Sequence, residues 1–268
     1  MSERKDVQVT DADVQEDLAV GLADFCALRG TMPQAFPRHT RFGITRARMQ
    51  QYSDARSQRF WHLLNIPLAL HAYRHSEHER VRSLMRSLLR TLDDFIVRLG
   101  NLPGARSLLS PLWKDMWTET PQLWSIASCT YMALCYQNAA IEVLGFERAI
   151  GNTARDSDIT VRLGGHITHL EVEAHHRADF GKRTDDGLKV ELERRAEAKA
   201  DQKFGALPQG ERGVVAVVCV LQNQDVHRAF EPRHIFRLRR AGDSLGWMPL
   251  RLVGVVHPDG LRFAILPL

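Results

Sequence analysis

Paired cysteines, long apolar runs and internal repeats are what this chain lacks. Its four cysteines, Cys26, Cys129, Cys135 and Cys219, include no close pair at zinc-binding spacing. Three sit in apolar surroundings, where a free thiol behaves as a small buried hydrophobe, so nothing calls for an oxidising compartment. No run approaches the ~18 apolar residues that a membrane span needs. The first residues, Met1 to Asp6, carry no apolar signal core, so the expectation is a cytoplasmic protein with no membrane partner. A metalloprotease helix is missing too. His71 and His75 stand four apart with no glutamate between them, and Pro67 and a helix cap at Ser76 are expected to break the helix around them. These two and His78 are read as surface or packing histidines.

What is present is an ordinary globular composition over 268 residues, 44% hydrophobic and 25% charged, with a net charge of +4. That length holds one large domain or two small ones. The charge is uneven. Residues 25–100 hold 13 Arg against 5 acids, whereas residues 111–268 balance 20 basic against 20 acidic residues. A basic N-terminal half suits a polyanion such as nucleic acid, and equally a soluble helical surface.

The N-terminal part reads as helical. Val14, Leu18, Leu22, Phe25 and Cys26 share one face of a helix expected over 13–29 and stopped by Gly30. A loop to Gly43 precedes a helix over 45–65, which Pro67 interrupts or kinks before an apolar turn near Tyr73. Ser76-Glu-His-Glu79 reads as a capping box opening a helix that Gly100 closes. Val81, Leu84, Leu88, Leu92, Phe95 and Leu99 form its apolar stripe, while Arg82, Arg86 and Arg90 recur every four residues on another face. Such a row can track phosphates or simply face water. Trp113, with Leu108, Leu109 and Leu112, and Trp117 read as core. Prolines and glycine between Asn101 and Pro121 mark a boundary between a basic helical domain (1–120) and a second domain (121–268).

Beyond that boundary the period changes. A helix is expected over 122–144, ending at Gly145, then a short strand over 146–150. Asp156 to Ala174 reads as two strands around a Gly164-Gly165 turn. A two-residue turn puts Leu163 opposite His166, Asp158 opposite Glu171 and Asp156 opposite Glu173. Alternation then gathers four carboxylates on one face and leaves Ile159, Val161, Leu163, Leu170, Val172 and Ala174 on the core face. Like charges paired across strands destabilise a sheet, and a hard divalent cation resolves the conflict; salt bridges to Arg or Lys would resolve it too. A basic loop (177–183, including Lys182), a helix over 186–204, a buried strand over 213–220, a short helix over 232–240 and a closing hairpin around Pro258-Asp-Gly260 complete the chain.

Helix, short strand, strand opening on an acid, strand with a spaced acid pair, helix, buried strand: this order resembles the PD-(D/E)XK nuclease superfamily core. Ser157-Asp158 stands at the Pro-Asp position and Glu171-Val-Glu173 at the acid-x-Lys position, with Glu173 where the family carries Lys. Ile141-Glu142-Val-Leu-Gly-Phe146 looks like the end of the family's first helix, where an auxiliary Glu occurs. The resemblance implies an α/β fold: a helical N-terminal domain followed by a restriction-endonuclease-like mixed central sheet flanked by helices. It implies Mg2+ or Mn2+ held by Asp158 and Glu171, catalytic roles for Asp158, Glu171 and Glu173, and Lys189 as the displaced cation. His169 and His175 are expected nearby as proton carriers or supporting groups. The implied activity is hydrolysis of nucleic-acid phosphodiesters, DNA foremost, with a helical domain that positions nucleic acid or docks a protein partner. The alternative is a catalytically degenerate module that binds nucleic acid or acts as a scaffold subunit. If the arginine row meets phosphates, replacing Arg82, Arg86 and Arg90 together by Glu is expected to weaken duplex binding and flatten its salt dependence by about three counter-ions, measured by fluorescence anisotropy over a salt series.

Overall fold

A computed structural model describes residues 8–33, 46–47, 49–50, 65–113, 122–151, 155–176, 194, 198–205, 207–222, 247–257 and 260–266; for residues 80, 122, 173–176, 217–222, 247–257 and 260–266 the description is of backbone only. The fold is mixed α/β. Helices α1 (Asp11–Gly21), α2 (Cys26–Arg29), α3 (Ile66–His75), α4 (Glu79–Leu99), α5 (Ala105–Leu109) and α6 (Gln122–Asn138) precede strands β1 (Glu142–Ala149), β2 (Asp156–Leu163), β3 (His166–His176), β4 (Arg212–Gln222), β5 (Trp247–His257) and β6 (Gly260–Leu266). The six strands lie in sequence order in one sheet. β1, β2 and β3 pair antiparallel, β3, β4 and β5 pair parallel, and β6 returns antiparallel on β5. Among the described residues no helix is long and apolar enough to cross a membrane.

Several helix ends differ from the sequence reading, each for a local reason. The first helix starts earlier, at Asp11, because Thr10 and Asp13 form a capping box. It then breaks into a 3-10 turn over Leu22–Asp24 and the short α2. Pro67 does not interrupt a helix; it lies in the first turn of α3, where no amide is needed, and the Asn65 side chain accepts from Leu68 N at 3.0 Å to cap it. The expected box at Ser76 is absent: α4 begins at Glu79 with His78 as an unassisted N-cap, and Ser76 Oγ accepts from His78 N instead. α6 stops at Asn138 rather than near Gly145. Ala140 adopts φ +59°, and the Ile141 and Ala140 amides donate back to Tyr136 O and Gln137 O, a Schellman closure made without glycine. Glu142 therefore opens β1, bonded to Arg162 at 2.8 Å, and does not sit on the helix as an auxiliary acid. The expected helix over 45–65 lies mostly outside the described residues, and that over 232–240 and Trp117 wholly so.

The hairpin expectation holds. Gly164 and Gly165 both have positive φ, +56° and +80°, as a two-residue primed turn requires, and Leu163 pairs with His166. The apolar face of the sheet, with Ile159, Val161, Leu170, Val172, Val214 and Ala216, joins one buried cluster with α4, α5 and α6. The opposite face is covered by the helical residues 198–204, where Ala200 and Phe204 are buried and Phe204 lies against Gly213. Over residues 213–216 β4 is thus buried on both sides, as expected for an apolar run without alternation.

Two contacts lock the helical layer to β1. Phe95 of α4 meets Phe146 edge-on, with ring centroids 5.0 Å apart. Gly104, at φ +79°, lets the chain before α5 come so close that a Cβ there would lie 2.0 Å from Phe146 O, while Phe146 N donates to Pro103 O at 2.8 Å. Gly104→Ala is expected to cost about 2–4 kcal/mol through steric overlap and positive-φ strain, read by urea denaturation, whereas Gly164→Ala, with nothing near its Cβ, costs only the φ strain of about 1 kcal/mol.

Candidate active site

The ladder between β2 and β3 runs from Leu163↔His166 to Ile159↔Leu170 and ends there. β2 continues on β1 as far as Ala149↔Asp156, and β3 continues on β4 as far as His176↔Val220. The two central strands therefore part over Asp156–Asp158 and Glu171–Glu173, where the sequence places its acids. Asp158 does not pair through its backbone. Its carboxylate instead accepts from Val172 N at 2.6 Å, occupying the place a ladder bond would have taken.

Glu171 is 4% exposed. A carboxylate in that position needs charge and hydrogen-bond compensation. The crossover between β3 and β4 supplies it: Lys199 Nζ donates to Glu171 Oε1 at 3.0 Å, and Lys203 Nζ lies 3.5 Å from Oε2. Lys203 also bridges to Asp156, 2.8 Å from its carboxylate and 3.0 Å from its carbonyl. The two lysines are one helical turn apart, so both reach the same wedge. Oε2 of Glu171 is buried and makes no hydrogen bond.

The electrostatics follow from this packing. Burial, and then the nearby charge of Glu171, push the Asp158 carboxyl up to about 7, against the pull of the Val172 amide and both lysines. Asp156 shifts the other way, held down first by its hydrogen bond to Lys203. Burial opposes the charge of Lys203, but its contacts to Asp156 and Glu171 outweigh that and raise its pKa. Cys129 of α6 is buried in the apolar cluster behind the sheet; burial, then the Asp158, Glu171 and Glu147 charges, raise its thiol well above the ordinary range. Glu147 of β1 is exposed at φ +47°, and its carboxyl is raised by desolvation and by Asp156.

A second polar group fixes the start of β2. Ser157 Oγ lies 2.9 Å from Thr160 Oγ1 and 3.3 Å from His169 Nδ1, and His169 Nε2 lies 2.6 Å from Glu211 Oε2. Ser157 and His169 are buried. Their bonds anchor the residue next to Asp158 to the first residues before β4, so His169 acts on the site by holding its frame.

Asp158 and Glu171 come within electrostatic reach of each other, but neither they nor Asp156 and Glu173 are the directly opposed ladder pairs expected, because the β2–β3 ladder ends at Ile159 and Leu170. The Glu173 backbone pairs with Val217, but its side chain, that of His175, and all of Lys182 and Lys189 lie outside the described residues. Lys199 and Lys203 were not singled out from sequence; their four-residue spacing in the crossover helix was the available signal. Arg82, Arg86 and Arg90 lie on α4, with Arg86 and Arg90 exposed and Arg82 bonded to Glu79 and to Ser76 O. Comparison of the chain with family models, with curated proteins and with solved structures finds no match.

Because the folded state favours protonated Asp158, its contribution to stability is full below about pH 4 and is lost as pH rises towards about 7. Asp158→Asn keeps an acceptor for Val172 N and removes that loss. In metal-free buffer its Tm advantage over wild type is expected to grow between about pH 4 and 7, reaching about 2–4 °C, on the order of 1 kcal/mol. A pH-independent difference by differential scanning fluorimetry contradicts this account.

Proposed function

We propose that this chain is a metal-dependent nuclease with a restriction-endonuclease-like core, hydrolysing phosphodiester bonds, DNA foremost, at the opening between β2 and β3. The observation that carries the reading is the convergence of Asp158 and Glu171 at that opening with two lysines in reach. Helix α6, the antiparallel β1–β3, the crossover helix and the parallel β4 follow in the order that the resemblance requires.

The donor set suits a hard divalent cation. Asp158 and Glu171 offer oxygen ligands, Glu171 Oε2 is buried without a hydrogen bond, and once Asp158 ionises three carboxylates stand against two ammonium groups. Bound there, Mg2+ or Mn2+ would polarise a phosphoryl oxygen and lower the pKa of a coordinated water. Lys199 and Lys203 take the part expected of Lys189: they pair with Glu171 and offer positive charge to a phosphate approaching the wedge. Cys129 and the apolar face of α6 exclude water from behind the carboxylates.

The degenerate-module reading also has an observation in its favour. Lys199 already satisfies Glu171 Oε1, so the wedge is compensated with no ion bound. Cleavage of plasmid and single-stranded DNA separates the two. A nuclease is expected to cut in Mg2+ or Mn2+ and not in EDTA, and to lose about 10²–10³-fold in rate on Glu171→Gln or Lys203→Met. Glu173→Lys should lower activity in a working site. No cleavage in either metal, with gain of activity or stability on Glu173→Lys, identifies a decayed site.

A further inference from the structure

The helical layer contains a second cluster with a different chemistry. Asp17 of α1 is 1% exposed and lies between three side chains of α3. His71 Nδ1 is 2.8 Å from Asp17 Oδ2, while His75 Nε2 and Arg74 Nη1 are each 2.6 Å from Oδ1. The two imidazole rings stand 4.8 Å apart between centroids. The helix break expected from Pro67 does not occur, so the four-residue spacing of the histidines survives as one face of a continuous turn. His78 takes no part; it caps α4.

We propose that Asp17, His71 and His75 bind a borderline divalent transition-metal ion of the Zn2+ class, clasping α1 to α3. The donor chemistry is the first reason. Two imidazole nitrogens and one carboxylate oxygen, all within 4.8 Å of one another, form a three-ligand set of the kind such ions take with water at the fourth position. The His75 side chain is 48% exposed, which leaves the solvent side open for that water. Reach is the second reason. Bonds of about 2.0–2.1 Å in a tetrahedral site separate ligand atoms by roughly 3.3 Å. The present nitrogen–oxygen separations, 2.8 Å from His71 to Oδ2 and 2.6 Å from His75 to Oδ1, need to open by about 0.5–0.7 Å, and rotation of half-exposed His75 can provide this and turn its nitrogen towards the oxygen that His71 faces. The third reason is Arg74. It occupies Asp17 without metal, but it also bonds Glu16 at 3.0 Å and so has a second anion to hold when a cation takes Asp17.

The test uses the full chain stripped with EDTA and dialysed, then titrated with ZnCl2 alone by calorimetry and by competition with a colorimetric chelator. One Zn2+ per chain is expected, with a rise in Tm and with tetrahedral visible absorption when Co2+ replaces it. His75→Ala, at the exposed ligand, should keep the helical circular dichroism and lose at least about tenfold in affinity. Arg74→Gln should bind several-fold more tightly, because it removes a competing cation. Retention of Zn2+ stoichiometry in an Asp158→Asn, Glu171→Gln background separates this site from the wedge. Sub-stoichiometric binding, equal affinity in His75→Ala, or unchanged or weaker affinity in Arg74→Gln makes the cluster an ion pair only and overturns the proposal.

Discussion

Everything around the wedge depends on burying the Glu171 carboxylate together with the lysines that pair with it. Little water reaches it, so its compensation comes from side chains, and the β3 amide next to it, Val172 N, is taken by Asp158. That requirement explains the position of the crossover helix, which sets Lys199 and Lys203 over this one strand. It also explains why β2 turns away from β3 at Asp158. Two carboxylates directly opposed in a continuous ladder would sit at about 4.5–5.5 Å with nothing between them. Parting the strands lets Asp158 take the Val172 amide and leaves space between the acids.

The rest of the fold serves as the rigid backing for that opening. One face of β2 and β3 is apolar and merges with the helical layer, clamped through Phe95, Gly104 and Phe146. The other face carries Ser157, Thr160, His169 and Glu171 beneath the crossover. A strand whose two faces are so different cannot slip by one residue without exposing the core and burying unpaired acids. The register is thereby pinned on both sides of the wedge, and the His169–Glu211 bond ties it to the start of the β4 segment.

Asp17 and Glu171 are buried carboxylates solved by the same local geometry. Each projects from one element toward a helix that presents two nitrogen-bearing side chains four residues apart: His71 and His75 for the one, Lys199 and Lys203 for the other. The chemistry that results is different. Ammonium groups carry charge but no lone pair, so the lysines can neutralise an acid or meet a phosphate. An imidazole ring nitrogen has a lone pair that can ligate, so the histidines can share the carboxylate with a metal ion.

Local periodicity was enough for the hairpin, its Gly-Gly turn, the pairing of Leu163 with His166, the buried start of β4 (residues 213–216) and the apolar stripe of α4, because each depends only on alternation, helical spacing or the φ preference of glycine. Counting from a two-residue turn put Asp158 and Glu171 next to each other on neighbouring strands, but did not reveal the parting of the strands just before them, where a side-chain bond to Val172 N replaces the ladder. Ends of helices were less legible. Ala140 closes α6 in a left-handed conformation that alanine does not advertise, and Pro67, read as a breaker, lies in the first turn of a helix that Asn65 caps. The partners of the charges were decided by the tertiary structure alone. Lys199 and Lys203 reach Glu171 across 28 and 32 residues of chain, and Asp17 reaches His71 across 54; such pairings follow from how whole elements pack, which no local pattern encodes.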